Sequence, residues 1–207
     1  MCNLLPWRFV CWFAAILGVV FFIALLCWYP PADISALGAL ILKSAGITTF
    51  TLMTIIKWDL WRWVWRIKPS YFNRAFFPDL QGCYRGTLVS DFTTPATRID
   101  NVELTIRQRL AKITVRLKTA DSESTTEIAQ IVPVDKEEGH YRLFYIYRNE
   151  PRNGVRPDSL PHIGGAELTI QLGKRLRLYG RYFNDPPRAT SGEMDFTRYT
   201  VNITSGA

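Results

Sequence analysis

Two long apolar runs in the first third of the chain constrain its fold more than any other feature. The first run, Phe9 to Tyr29, has 21 residues and no charged side chain. The second, Ile34 to Ile56, is of similar length and carries one charge, Lys43. Each run can cross a membrane, because a helix of about 20 apolar residues spans the ~30 Å hydrocarbon core of a bilayer. The sequence therefore predicts a transmembrane hairpin over residues 1–68.

Basic residues at the ends of the two runs indicate how the hairpin is oriented. They are Arg8 before the first run and Lys57, Arg62, Arg66 and Lys68 after the second. The loop between the runs, Trp28 to Asp33, has no Lys or Arg. Because cytoplasmic loops are enriched in these residues, we expect both termini and the following domain in the cytoplasm. Anionic lipid then accounts for the basic excess, and no DNA or RNA partner is expected.

Aromatic and basic residues alternate in the segment that follows the second run, Lys57 to Lys68. All seven tryptophans of the chain lie between Trp7 and Trp65. Such a pattern beside an apolar run is typical of a helix lying at the membrane interface. The residues expected to contact the membrane or another copy are Trp58, Trp61, Arg62, Trp65 and Lys43. Lys43 has two interpretations, a side chain reaching the headgroups or a polar contact between hairpins in an oligomer.

From residue 80 onward the apolar residues recur with period two, after a predicted linker over residues 69–79. The alternating segments begin at Val102, Ile113, Ile128, Leu168 and Leu176. Three further candidates are Gln81–Ser90, His140–Arg148 and Glu193–Val201, which makes eight strands and no convincing helix. In the strand that includes Ile128, the alternation predicts that Ile128, Gln130 and Val132 share the apolar face. Eight strands with one apolar face each form a sandwich or a closed barrel. We predict an antiparallel up-and-down barrel over residues 80–203, because closure removes exposed edges.

No catalytic or metal-binding arrangement is evident. The only histidines are His140 and His162, and neither has a cysteine or carboxylate at ligand spacing. There is no glycine-rich phosphate loop and no nucleophile elbow. We therefore expect a protein that is not an enzyme and that needs no metal or cofactor.

A ligand-binding interior is better supported. Alternation places Tyr182 in phase with Leu178, Tyr145 in phase with Leu143, and Arg198 in phase with Met194 and Phe196. An aromatic-lined barrel mouth with an inward arginine suits a flat, anionic ligand, because aromatic rings stack on bases and arginine pairs with phosphate. The simpler alternative is that the tyrosines are ordinary core residues and the arginines are solvated.

Short motifs at both ends of the predicted barrel carry a family resemblance. They are Leu80-Gln-Gly-Cys-Tyr-Arg-Gly86, Leu178-Tyr-Gly-Arg-Tyr-Phe-Asn184, Arg188-Ala-Thr-Ser-Gly192 and Met194-Asp-Phe-Thr-Arg198. With the two apolar runs, the chain resembles the two-transmembrane, β-strand-rich effectors of bacterial CBASS anti-phage systems, which act with a cGAS-like nucleotidyltransferase. The resemblance implies a minimal eight-stranded barrel that is the receptor for a cyclic dinucleotide. It further implies homo-oligomerisation on binding, disruption of the bacterial inner membrane by the hairpins, and abortive infection.

Under this resemblance, the residues expected to bind the nucleotide come from the inward faces and the last loop. Tyr84, Tyr145 and Tyr182 would stack on the bases, and Arg198 would contact phosphate. Arg148 and Arg188 are further cationic candidates, and Thr190 and Ser191 are candidate hydrogen-bond donors. Two alternatives stay open: a membrane-anchored barrel that carries a lipid, and a constitutive membrane-active toxin or structural protein whose barrel binds another protein.

Overall fold

A computed structural model describes residues 7–91, 95–110, 112–135, 138–151, 161–173, 175–186 and 190–199. Within these ranges the chain forms four helices followed by eight strands. It divides into two compact units, and the chain passes from one to the other between Pro69 and Ser70. Helical structure therefore dominates the first unit and a sheet dominates the second.

Two long helices occupy the predicted hairpin: α1 spans Trp7–Trp28 and α2 spans Ile34–Lys57. Asp33 caps α2, because its carboxylate accepts a hydrogen bond from the Ala36 N–H at 2.7 Å and another from the Ser35 hydroxyl at 2.7 Å. The segments Val10–Trp28 and Ile34–Lys57 are long and apolar enough to cross a membrane. The two apolar helices predicted from the sequence are confirmed.

The small and polar residues of α2 fall on two different faces. Ser44 and Thr48 are buried, and a Cβ on Gly18 of α1 would lie 3.6 Å from the Thr48 hydroxyl oxygen. The Thr48 hydroxyl donates to the Ser44 carbonyl at 2.7 Å, which satisfies it within its own helix. By contrast, a Cβ on Gly38 or Gly46 would have no neighbour within 4 Å. One face of α2 thus packs on α1, and the other has no partner in the described part of the chain.

The Trp-rich segment forms a short helix, α3, at Trp61–Ile67. Trp61 and Trp65 are buried and contact each other edge to face, with ring centroids 5.1 Å apart. The Arg62 guanidinium lies 5.2 Å from the centre of the Trp61 ring. Trp58 is 71% exposed, and Lys43 of α2 is also exposed. Of the aromatic residues predicted to contact the membrane, only Trp58 is therefore exposed in this single chain.

The predicted linker is partly helical. A fourth helix, α4, covers Pro69–Ala75, and proline suits its first position because the fixed φ and missing N–H cost nothing there. Phe77 and Leu80, which follow α4, are 2% and 0% exposed. Phe77, Pro78 and Leu80 are therefore packed against the barrel.

The eight strands close into a barrel in which each strand pairs antiparallel with the next and the last pairs with the first. They are β1 Gly82–Ser90, β2 Thr97–Arg109, β3 Lys112–Lys118, β4 Ser122–Asp135, β5 His140–Pro151, β6 His162–Gln171, β7 Arg177–Asn184 and β8 Ser191–Tyr199. The interior is filled by alternate side chains, of which Leu104, Leu143, Leu168 and Phe196 are fully buried. The predicted up-and-down barrel is confirmed, and a sandwich is excluded.

The inward face of β4 differs from the prediction. Ile128 is 62% exposed, whereas Ala129 and Ile131 are 3% and 7% exposed. The register of β4 with β5 shifts between Thr126 and Ile128, and one extra residue in a strand transfers the following side chains to the opposite face. The prediction that Ile128, Gln130 and Val132 form the apolar face was therefore wrong.

Candidate ligand-binding site

One end of the barrel, where β1 begins and β8 ends, is shut by the preceding segment. Gln108 of β2 points inward and is fully buried. Its side-chain oxygen accepts from the Leu80 N–H at 2.7 Å, and its amide nitrogen donates to the Pro78 carbonyl at 3.1 Å. The Tyr141 hydroxyl donates to the Asn73 carbonyl at 2.6 Å. These bonds hold residues 73–80 across what we call the closed end.

Tyr84 and Arg198, both predicted to bind ligand, lie at the closed end. They are cross-strand partners on β1 and β8. The Tyr84 hydroxyl donates to the Leu80 carbonyl at 2.6 Å, and burial raises the pKa of this hydroxyl far above its usual range, so it stays a donor. The Arg198 guanidinium donates to the Gln81 carbonyl. Both side chains thus bind the segment that shuts the barrel.

A glycine makes room for this arginine. Gly82 has a φ of 153°, and a Cβ there would lie 2.8 Å from Arg198 Nε. A side chain at position 82 would therefore both strain the backbone and displace the guanidinium.

The opposite end carries a different set of inward side chains, which we call the polar mouth: Ser124, Tyr147, Asn149, Asn184 and Thr190. The Tyr147 hydroxyl donates to Asn184 Oδ1 at 2.9 Å, and Asn184 Nδ2 donates to the Thr190 hydroxyl at 2.7 Å. The Asn184 N–H also donates to the Thr190 carbonyl at 2.9 Å, which fixes the residues on either side of the β7–β8 connection. Tyr147, Asn184 and Thr190 are thus connected in one network of hydroxyl and amide groups.

Two inward glycines allow tyrosine rings to lie at this end. A Cβ on Gly164 of β6 would be 2.4 Å from the Tyr147 ring, and a Cβ on Gly192 of β8 would be 2.5 Å from the Tyr182 ring. Tyr145 lies next to Tyr147, with ring centroids 5.8 Å apart. Burial raises the pKa of Tyr145 well beyond its ordinary value, so the phenol stays neutral. The rings of Tyr145, Tyr147 and Tyr182 thus lie together at this end of the interior, and we call them the tyrosine floor.

Two polar side chains of the mouth have hydrogen-bonding capacity to spare. Ser124 and Asn149 are cross-strand neighbours on β4 and β5, and they are 5% and 9% exposed. Neither side chain makes a hydrogen bond within the described part of the chain. These two are therefore placed to bind a polar ligand or water.

The remaining predicted residues are spread over other parts of the barrel. Ser191 donates through both its N–H and its hydroxyl to the Asp91 carboxylate, at 2.7 and 2.6 Å, which lowers the pKa of Asp91. Arg148 lies on the outer face, where its guanidinium pairs with Glu127 at 2.9 Å. Arg188 lies outside the described residues. Of the predicted set, Thr190 belongs to the mouth, and Tyr145 and Tyr182 lie beside it. Ser191 is at the same end of the barrel but faces outward, as does its cross-strand partner Phe183.

Sequence reasoning missed Ser124, Asn149 and Asn184. A signal was present for the two asparagines, because Asn149 is in phase with Tyr145 and Tyr147, and Asn184 is in phase with Tyr182. Polar residues that continue an inward-facing row at a strand end mark the point where the interior meets solvent. Ser124 gave no such signal, since the apolar phase of its strand changes at the bulge.

The chemistry of the mouth suits binding. It offers aromatic rings, amides and hydroxyls, and the inward-facing residues described at this end include no Lys or Arg. No group of three or more His, Cys, Asp or Glu residues able to hold a metal ion occurs among the residues described. The arrangement can stack on flat rings and form hydrogen bonds with their edges.

Comparison with known proteins identifies the family of this barrel. Residues 75–198, more than half of the chain, match the family described as Cap15, cyclic dinucleotide receptor domain. The chain is also 40% identical over 96 residues to a protein of Yersinia aleksiciae named CD-NTase-associated protein 15, an alignment that covers 46% of this chain and 44% of that protein. The chain therefore spans less than half the length of this relative in the match. By the family match, this protein belongs to the Cap15 cyclic dinucleotide receptor domains.

Proposed function

We propose that the polar mouth binds a cyclic dinucleotide and that this binding activates a membrane-anchored anti-phage effector. The observation that carries the proposal is the pair Ser124 and Asn149, two buried side chains with unused hydrogen-bonding capacity beside the tyrosine floor. The family match supports the ligand class. Base edges carry the donors and acceptors that an amide and a hydroxyl recognise, and the ring faces suit tyrosine.

The closed end is a poor place for the ligand. Gln108, Tyr84 and Arg198 there already bind backbone groups of residues 78–81. We therefore assign Tyr84 and Arg198 to closure of the barrel rather than to the nucleotide. For the phosphates we retain Arg188 as the candidate cation, since in the sequence it lies between Asn184 and Thr190, both of which belong to the mouth.

We further propose that the signal and the output follow the CBASS scheme. A cGAS-like nucleotidyltransferase supplies the cyclic dinucleotide, as the name of the Yersinia aleksiciae relative suggests. The chain lies in the bacterial inner membrane through α1 and α2, with the barrel in the cytoplasm. Binding leads to homo-oligomerisation, and the assembled hairpins disrupt the membrane and abort the infection.

The test is calorimetric titration of the full chain in detergent micelles against a panel of cyclic di- and trinucleotides. We compare two neighbouring variants of β5 that face opposite ways. Asn149→Leu keeps the number and branching of the side-chain heavy atoms but removes the amide, and we expect affinity to fall at least ten-fold. Arg148→Ala, on the outer face, should leave affinity unchanged.

Two results would contradict the proposal. One is a folded chain that binds no cyclic nucleotide, and the other is an Asn149→Leu variant that binds as well as the unmodified chain. A loss of affinity in Arg148→Ala alone would move the site to the outer face. Binding of extracted lipid in place of nucleotide would favour the alternative of a lipid carrier.

A further inference from the structure

An exposed apolar row crosses four strands on the outer face of the barrel. Its members are Ile128, Ile146 and Phe183, which are 62%, 44% and 63% exposed. Ile128 of β4 lies opposite Ile146 of β5, Ile146 lies opposite Gly165 of β6, and Gly165 lies opposite Phe183 of β7. The row is continuous because the Phe183 ring covers Gly165, where a Cβ would be 2.4 Å from it. We call this row the outer ridge.

A groove with a volume of about 680 Å³ adjoins the outer ridge. The side chains that line it include Thr169, Arg177, Tyr179, Arg181, Glu193 and Asp195. Strand β7 belongs to both features, because Arg177, Tyr179 and Arg181 line the groove and Phe183 is the next outward residue. We call this depression the outer groove. A projection and a depression therefore lie side by side on one face.

The charged residues around these features form pairs of both signs. Arg142 pairs with Glu167 at 2.7 Å and Arg177 pairs with Asp195, and all four of these residues line the groove. Arg148 and Glu127 form a third pair at the far side of the ridge. An apolar centre with a polar, charged rim is the usual anatomy of a protein–protein interface. A surface with equal numbers of positive and negative groups can also match an inverted copy of itself.

We propose that this face is where a second copy of the chain docks, with the outer ridge of each copy seated in the outer groove of the other. A two-fold axis between ridge and groove makes both contacts at once, which is the geometry of an isologous dimer. The inference gives the self-association of the proposed function a surface, and it rests on that function for the membrane anchoring and for the effect of nucleotide.

The size of the face argues for a second copy held in the same membrane. Four neighbouring strands are about 15 Å across, and the ridge is one residue wide along them. The area that it can bury is therefore much smaller than the ~800 Å² per partner of a stable interface. Two chains anchored through α1 and α2 in one bilayer meet at a high effective concentration, which lets a small interface form. A soluble partner protein would lack that advantage.

The experiment uses the full chain in phospholipid vesicles, with donor-labelled and acceptor-labelled copies mixed. Energy transfer is measured against the protein-to-lipid ratio, with and without the cyclic dinucleotide panel. The ridge variant is Ile146→Ser with Phe183→Ser. The control is Val134→Ser. Val134 also lies on β4 and is 57% exposed, but it is not part of the ridge. Nucleotide binding is measured separately on the same samples.

We expect the ridge variant to need at least ten-fold more protein per lipid for the same energy transfer, while its nucleotide affinity and melting temperature stay unchanged. The control should behave like the unmodified chain. Equal self-association of the ridge variant and the unmodified chain overturns the inference, as does absence of self-association in the unmodified chain. Failure of nucleotide binding with ridge-dependent association intact counts against the proposed function and supports the docking face.

Discussion

Gln108 offers the sharpest test of how the barrel is closed. Replacing it with Leu keeps a side chain of similar volume but leaves the Leu80 N–H and the Pro78 carbonyl without their partner. Both residues are buried. A buried backbone group that loses its hydrogen bond costs about 1–3 kcal/mol. Part of this loss is offset by the apolar leucine, so we expect Gln108→Leu to destabilise the barrel by about 2–4 kcal/mol.

Hydrogen exchange measures this loss in the right part of the molecule. All seven tryptophans lie at or before Trp65, so intrinsic tryptophan fluorescence does not report directly on the barrel. Backbone amides of the barrel strands, followed by mass spectrometry under rising urea, give its free energy of opening. The Leu80 amide should lose most of its protection even where the strands keep theirs.

A matched substitution separates closure from a general effect of removing glutamine. Gln130 on β4 is exposed on the outer face, and Gln130→Leu should change the free energy of opening by less than about 0.5 kcal/mol. If Gln108→Leu costs no more than Gln130→Leu, or if the Leu80 amide stays protected, then Gln108 does not hold the closed end and our assignment of the two ends is wrong.

Three further predictions test other parts of the barrel. Arg198→Ala removes a donor to the Gln81 carbonyl and should lower the stability of the barrel by about 1 kcal/mol. Its nucleotide affinity, measured by calorimetry, should stay within about three-fold of that of the unmodified chain. A ten-fold loss of affinity would return Arg198 to the ligand site. Gly164→Ala places a Cβ 2.4 Å from the Tyr147 ring and should lower the free energy of opening, measured by hydrogen exchange, by about 1–3 kcal/mol. Gly173→Ala is the control and should be close to neutral, because the nearest neighbour of its Cβ would be 3.7 Å away. Equal effects of the two substitutions would show that the Tyr147 ring does not lie beside Gly164. Hydrogen bonds from Ser191 lower the pKa of Asp91 in the folded chain, so the ionised carboxylate stabilises the fold above its unfolded pKa of about 4, and this contribution is lost as pH falls through the folded pKa. The difference in urea midpoint between the unmodified chain and Asp91→Asn should therefore shrink below about pH 4. A difference that does not vary with pH would contradict this.

The periodicity of the sequence was enough to predict the barrel. Runs such as Val102-Glu-Leu-Thr-Ile106 put every second side chain on one face, and the structure buries each of these apolar residues. The exception was β4, since its inward phase changes at the bulge between Thr126 and Ile128, and the position of a bulge is set by the pairing with the neighbouring strand. Thr126 shows the difference: its hydroxyl donates to the Val115 carbonyl at 2.7 Å and so replaces a ladder bond that the strand alone does not reveal.

The location of the site was harder to predict than the fold. Tyr84 and Tyr182 both have inward phases, and alternation alone does not separate them. They lie at opposite ends because Tyr84 is near the start of β1 and Tyr182 is near the end of β7, and all odd-numbered strands run in the same direction. The closing segment also escaped prediction, because residues 73–80 have no period of two. Gln108 did carry a hint, since it continues the inward row of Leu104 and Ile106 as a polar residue. Only the position of Leu80 and Pro78 explains why an amide is needed there.

The pairing of β1 with β8 has a consequence for the order of events during synthesis. Gly86 and Phe196 are neighbours across the seam, although about 110 residues separate them in the chain. At translation rates of ~5–20 residues per second, the first strand waits roughly 5–20 s for its partner, and such distant pairing is intrinsically slow to form. The apolar helices α1 and α2 are made before any of the strands. Under the proposed function, insertion of α1 and α2 into the membrane begins while the barrel is still open, so each copy is tethered before its barrel can bind nucleotide.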